Sequence, residues 1–251
     1  MGPAENFIGM GNFLKIFTDK VFLKAAGNSF FIVALSLLIQ LPLAMVLALM
    51  VGRKIRGRGF YRTVFFLPYV LSETITAVMF RILYNPEPSR GFINAVFQAL
   101  GLETQAWLGN TNLVLFSIFM VLTWKYIGFH MLLYITGLQN IPRDVEEAAL
   151  IDGVTKRQMI THITLPLIMG TVRTSVYLSV LGSLQVFAIV WIMTKGGPVN
   201  ASEILSTYMY RFSFVRFQLG YGAAIAIMML IIALVFSVTY RSFVRKTEYI
   251  A

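Results

Sequence analysis

Apolar residues along this chain fall into long blocks, separated by short polar or basic stretches. Five of these blocks approach the roughly 20 apolar residues that a membrane-crossing helix needs. They lie at 30–51, 64–83, 113–138, 167–193 and 221–243. The pattern predicts an all-α, polytopic helical membrane protein.

The connections carry their own signals. The stretch 84–112 is expected to hold a short amphipathic helix at 92–100, because Phe92, Val96 and Phe97 repeat at helical spacing. Asn110 to Asn112 are placed to cap the third block. The basic residues are unevenly shared. Arg53, Lys54, Arg56, Arg58 and Arg62 lie between the first two blocks, and Arg143, Lys156 and Arg157 between the third and fourth. Arg241, Arg245 and Lys246 follow the fifth, whereas the other two connections hold only Arg90, Lys195, Arg211 and Arg216. By the positive-inside rule the basic loops and the C-terminus face the cytoplasm. The N-terminal stretch, with Lys15, Lys20 and Lys24, then falls on the outer side.

Composition agrees with this layout. Of the 251 residues 57% are hydrophobic and 13% are charged. So few charges cannot clothe a soluble surface of ordinary charge density. The net charge of +10 would suggest nucleic acid in a soluble chain. Here the cations sit between apolar blocks, so anionic membrane lipid is the expected partner, and nucleic acid is not. The chain has no cysteine, which excludes disulfides and Cys-ligated metal sites. His130 and His162 lack metal-ligand spacing and read as structural, so no metal site is expected.

The connection 138–166 is the most informative stretch. Pro142 suits the first turn of a helix, and Asp144, Glu146 and Glu147 place negative charge in its early turns. Ala148, Ala149 and Leu150 are strong helix formers, and Gly153 permits a sharp turn. A second short helix is expected at 156–162, with Pro166 admitting the chain to the fourth block. The first helix combines small residues, which allow close approach, with carboxylates that can pair with a partner's arginine. The competing reading is an amphipathic loop lying on lipid, which its acidic half disfavours on an anionic leaflet.

At this point the residues resemble a known family. Glu147-Ala148-Ala149, three residues, Gly153, nine residues, Ile163, one residue and Leu165-Pro166 reproduce the "EAA" motif of ABC importer permeases in register. Leu138 to Pro142, Ile151 to Gly153 and Met193 to Pro198 are similar to the carbohydrate-uptake branch. Phe60-Tyr61-Arg62 through Phe65-Phe66-Leu67-Pro68 resembles its larger, maltose-transporter-like membrane subunit. The resemblance implies a type I ABC importer permease fold. That family opens with one more helix at the N-terminus, so a preceding helix is expected. Residues 1–26 would be a periplasmic segment and 27–245 the transmembrane domain, with 138–166 its cytoplasmic coupling loop.

The resemblance further implies that Glu147, Ala148, Ala149, Asp152 and Gly153 meet a cytoplasmic ATPase dimer. Ile163, Leu165 and Pro166 would fix the loop to the fourth span. A second permease in a pseudo-twofold heterodimer and a periplasmic or lipid-anchored sugar-binding protein complete the implied assembly. No GxxxxGK[ST] phosphate loop occurs, so ATP and Mg belong to the partner ATPase and this chain needs no cofactor. The implied cargo is a mono- or oligosaccharide. The alternative is another solute, such as an amino acid, a polyol phosphate or an inorganic anion. A membrane-embedded enzyme is disfavoured, because its convergent His and carboxylate groups are missing from the blocks, and no catalytic residue is expected.

Ionisable residues inside a span cost at least ~2.5–3.5 kcal/mol on insertion scales, so each needs a reason. Glu73 stands mid-way in the second block, Lys125 beside Tyr126 in the third, and Gln185 with Tyr177 and Trp191 in the fourth. They form either a sugar path of aromatic faces and polar groups or structural glue between helices. Glu73 and Lys125 could also pair with each other. Arg81 and Arg173 lie near block ends, where they can snorkel.

Overall fold

The computed structural model describes residues 8–52 and 56–248. Arg53 and Lys54 of the basic cluster and the first seven residues of the 1–26 segment lie outside the described residues, as do the side chains of Glu146, Arg245 and Lys246. In chain order the helices begin with α1 (Gly11–Thr18), α2 (Lys20–Leu35) and α3 (Leu41–Val51). They continue with α4 (Arg58–Val70), α5 (Glu73–Leu83), α6 (Phe92–Ala99), α7 (Val114–Gln139) and α8 (Arg143–Ile151). Then come α9 (Lys156–Gln158), α10 (Leu165–Leu167), α11 (Met169–Gln185), α12 (Ala188–Thr194), α13 (Leu205–Tyr210) and α14 (Leu219–Glu248). Three wider π turns, Ser36–Gln40, Met159–Thr164 and Arg211–Val215, interrupt the α geometry. Among the described residues there is no strand.

Three helical runs are long and apolar enough to cross a membrane without a break: Lys20–Val51, Val114–Gln139 and Leu219–Val244. They match the first, third and fifth apolar blocks. The second and fourth blocks are not single helices, which corrects the sequence reading. The second breaks after Val70, where Leu71 is extended (φ −64°, ψ 143°), and resumes at Glu73. The fourth breaks at Phe187 (φ −139°, ψ −64°), so α11 ends at Gln185 and α12 restarts at Ala188. A further bend of 69° separates Lys156–Leu167 from α11.

Proline explains three of these irregularities. A proline inside a helix lacks an N–H, and its ring collides with the carbonyl four residues earlier. Two prolines follow a π turn directly. Leu41 N–H donates to Ser36 O just before Pro42, and Leu165 N–H donates to Ile160 O just before Pro166. The five-residue bond opens the helix where the ring must fit. Pro68 has no such turn, and its helix ends two residues later.

The chain divides into two compact units. The first comprises Met1–Val33, Glu73–Val121 and Leu181–Ala251. Its core joins Ile16 of α1, Phe22 and Ala25 of α2, Leu205 and Tyr208 of α13, Phe212, and Tyr221, Ala224 and Ile225 of α14. The expected helix in 84–112 is present as α6, and Asn94 fastens the loop around it. Its amide donates to the carbonyls of Asn85, Pro86 and Gln105, and its oxygen accepts from Gln105 N–H and the Trp107 indole. Phe97 packs inward on Trp107, whereas Phe92 is exposed.

The second unit comprises Ala34–Ser72 and Leu122–Val180. Ala44, Ala48 and Val51 of α3 pack there on Met131, Tyr134 and Ile135 of α7. Small residues allow the helices close approach. A Cβ on Gly128 would overlap the Phe65 carbonyl and stand 2.9 Å from Phe66 Cα. Some of its buried polar groups are paired: Ser36 Oγ shares hydrogen bonds of 2.8 Å with Gln40 and with Ser179, and His130 Nδ1 shares one of 2.8 Å with Ser175.

Candidate functional site

The loop 138–166 lies wholly in the second unit. Pro142 occupies the N-cap, one position before the first helical residue, with an extended backbone (φ −60°, ψ 137°). Helix α8 then runs to Ile151 and closes with a complete Schellman turn. Gly153 N–H donates to Leu150 O at 3.2 Å, and Val154 N–H donates to Ala149 O at 3.1 Å. Gly153 adopts φ +76°, a left-handed conformation that glycine enters without strain. A Cβ there would meet nothing within 4 Å, so the requirement for glycine is conformational rather than spatial.

This turn explains the motif's spacing physically. Ala149 is buried at 6% exposure, which leaves it facing the body of the unit. Glu147, Ala148 and Asp152 are exposed, and so are Leu150 and Ile151, the latter at 86%. The surface offered outward is therefore two carboxylates, a small residue and two large apolar side chains. After the turn, Thr155 and Gln158 form a capping box, with Gln158 N–H donating to Thr155 Oγ1 at 3.4 Å and Thr155 N–H to Gln158 Oε1 at 3.0 Å. The second helix expected at 156–162 is present within the continuous helical run Lys156–Leu167, which starts as the α turn α9 and widens into the π turn as Pro166 approaches. Ile163 and Leu165 are half-buried, and Pro166 is exposed.

The six residues expected along a substrate path are divided between the units. Lys125, Tyr126 and Tyr177 belong to the second, and Glu73, Gln185 and Trp191 to the first. Lys125 is buried, and its ammonium donates to the carbonyls of Pro68 (3.4 Å), Tyr69 (3.4 Å) and Leu71 (2.5 Å). These are among the carbonyls that the end of α4 leaves without helical partners, at the negative pole of its dipole. Lys125 therefore acts as the C-terminal cap of a broken helix. Its ammonium also lies 5.6 Å from the Tyr126 ring centre, and Tyr126 meets Tyr69, which stacks on Phe129. Tyr177 is half-buried on α11. Glu73 is the first residue of α5 rather than a mid-helix charge, so its carboxylate stands at a positive helix end.

In the first unit Gln185 is exposed at the last residue of α11. It borders a cavity of about 140 Å³ otherwise lined by apolar residues, including Leu184, Leu205 and Met229. Trp191 lies in an aromatic group, 6.1 Å from Phe187 and 4.8 Å from Tyr210 between ring centres. The Arg211 guanidinium is 5.9 Å from the Trp191 ring centre and pairs with Glu203 at 2.6 Å. Glu203 is wholly buried, and burial pushes its carboxyl above the ordinary range, while the Thr207 hydroxyl and Arg211 pull the other way. Asn28 donates to the carbonyls of Ala201 and Glu203. Sequence reasoning missed Glu203 because it treated 194–220 as an ordinary outer loop. No pattern in the sequence pointed to it; in the structure a Cβ on Gly196 would collide with the Glu203 carboxylate, so the glycine leaves room for it.

Residues 40–249 match the family described as "Binding-protein-dependent transport system inner membrane component". The chain belongs to this family. The permease is 38% identical over 245 residues to the probable ABC transporter permease protein YurN of Bacillus subtilis (strain 168), covering 96% of this chain and 83% of that one. It is 34% identical to the diacetylchitobiose uptake system permease protein NgcF of Streptomyces coelicolor (strain ATCC BAA-471 / A3(2) / M145), covering 94% and 70%. Its fold superposes with a TM-score of 0.86, at 27% identity, on a chain of the crystal structure of a bacterial alginate ABC transporter in complex with alginate pentasaccharide-bound periplasmic protein. That match covers 96% of this chain and 84% of the other. The permease is thus a helical inner-membrane transport subunit of an ABC importer, not an enzyme, and ATP is hydrolysed by a separate subunit. It works with a partner permease, an ATPase and a binding protein.

Proposed function

We propose that the permease carries a mono- or oligosaccharide across the cytoplasmic membrane, and that α8 is the element through which the ATPase drives it. The observation that carries the mechanical part is the exposed α8 surface, Glu147, Ala148, Leu150 and Ile151, held at a fixed angle by the Schellman turn at Gly153. A helix that is rigid at its end and apolar at its tip is suited to a cleft in a moving partner, since rigid-body coupling requires a contact that does not yield. The sugar is supported by relatives named for diacetylchitobiose and lactose transport and by the alginate importer whose fold is shared. The basic loops support a cytoplasmic position for α8 and for the C-terminus. The partner permease would complete a pseudo-twofold heterodimer.

The test is uptake into proteoliposomes that hold the permease, its partner permease and the ATPase, supplied with the cognate binding protein loaded with sugar. Wild type should accumulate the sugar in an ATP-dependent way. Glu147→Lys and Gly153→Pro should insert normally and fail to transport. Normal uptake by both variants would remove α8 from the mechanism. A binding protein that takes amino acids and rejects sugars would reassign the cargo.

A further inference from the structure

Helix α1 has three distinct faces at 100° per residue. One carries the fully buried Ile16, which joins Tyr221, Ala224 and Ile225 of α14 in the core of the first unit. A second carries Gly11, Lys15 and Thr18. The third carries Met10, Leu14 and Phe17, spaced by four and three residues and exposed at 65%, 69% and 61%. Three large apolar side chains thus lie along one side of a short helix with nothing over them among the described residues.

The place of α1 says what covers them. Asp19 ends α1 with an extended backbone (ψ 104°), and its Oδ1 accepts from the N–H groups of Val21 (2.9 Å) and Phe22 (3.3 Å) to start α2. Its Oδ2 accepts from the hydroxyls of Tyr208 (2.5 Å) and Tyr221 (2.7 Å). One carboxylate therefore ties the end of α1 to α13 and to the first turn of α14. The run Lys20–Val51 begins at this knot and the run Leu219–Val244 begins beside it, and both are apolar enough to cross the bilayer. A helix pinned at the mouths of two spans stands at the depth of the lipid headgroups. Lys15, Lys20 and Lys24 are exposed around it, matching anionic phosphates.

We propose that α1 is an interfacial membrane anchor, with Met10, Leu14 and Phe17 seated at the boundary between headgroups and acyl chains and the neighbouring lysines on lipid phosphate. Amphipathic helices bind a bilayer in this way, with one face buried and a cationic flank. The anchor rests on the geometry of α1 and its two spans, and holds whatever solute the permease carries.

Because the chain has no cysteine, single cysteines report alone. Spin labels at Leu14→Cys, Phe17→Cys and Thr18→Cys would be placed in the full chain, in nanodiscs of phosphatidylethanolamine and phosphatidylglycerol. All three positions are exposed, so the labels leave the core intact. The labels at 14 and 17 should be relaxed more strongly by oxygen than by a water-soluble nickel chelate, and the label at 18, about 40° round from Leu14 towards Lys15, should show a smaller oxygen-to-nickel ratio than either. Equal access of the nickel chelate to all three positions would overturn the proposal by leaving α1 in water. Immobile labels at 14 and 17, shielded from both reagents, would overturn it in favour of a protein covering.

Discussion

Val154 N–H reaches back 3.1 Å to the carbonyl of Ala149, and only the left-handed Gly153 between them makes that bond possible. Gly153→Ala introduces a Cβ where φ is +76°, at a local cost of about 1–2 kcal/mol. The cost falls on the turn and not on the core, so the melting temperature in detergent should barely change. ATPase stimulation by the loaded binding protein should fall several-fold. Paired measurements of melting and stimulated ATPase rate on the assembled complex check both halves.

Lys125 offers a sharper separation of roles. Lys125→Met keeps the apolar stem and removes the donors to Pro68, Tyr69 and Leu71. Leaving a buried carbonyl unpaired costs about 1–3 kcal/mol for each group, so the unfolding midpoint should drop clearly. Unchanged stability with lost transport would instead place Lys125 on the solute path.

Two glycines in the second unit should behave oppositely. Gly128→Val drives a side chain into the Phe65–Phe66 backbone, which cannot rotate away, and should abolish recovery of folded protein. Gly170→Ala meets nothing within 4 Å and lies in α11, so it should stabilise by about 0.4–1 kcal/mol. Yield of monodisperse protein and thermal midpoint together test the pair.

The Glu203–Arg211 pair predicts a pH effect. Arg211→Met strands a carboxylate of 0% exposure and should cost about 3–5 kcal/mol near neutrality. The carboxyl's folded pKa is raised, so the native state is favoured when it is protonated. That contribution is full below the ordinary value of 4.5 and is lost as pH rises through the raised one. The variant should therefore regain stability as pH falls from 7 towards 4.5, which a series of melting curves across that range would show.

Three of the five spans, and the loop helix with its glycine turn, were legible because each depends on local regularity: an unbroken apolar run, or helix formers ended by one turn residue. The breaks at Leu71 and Phe187 were not. Pro68 announces an interruption, but not whether a π turn absorbs it, as happens before Pro42 and Pro166, or the helix ends. Lys125 was visible as a costly charge, yet its partners are backbone carbonyls, which leave no mark in the side-chain sequence. Glu203 was hidden differently. Its partner lies eight residues away at the far end of α13, while Glu203 itself precedes that helix in non-helical backbone, so no helical or strand period points one side chain at the other.

The π turn Ser36–Gln40 amounts to one inserted residue in an otherwise α-helical run, and so it sets the rotational phase of everything that follows. Deleting a residue there would turn α3 by about 100°. Met45 and Leu49 would then arrive where Ala44 and Ala48 now meet Met131 and Tyr134. A change in chain length of a single residue, made far from any charged group, would jam that helix contact, whereas the same deletion together with small residues at 45 and 49 would restore it.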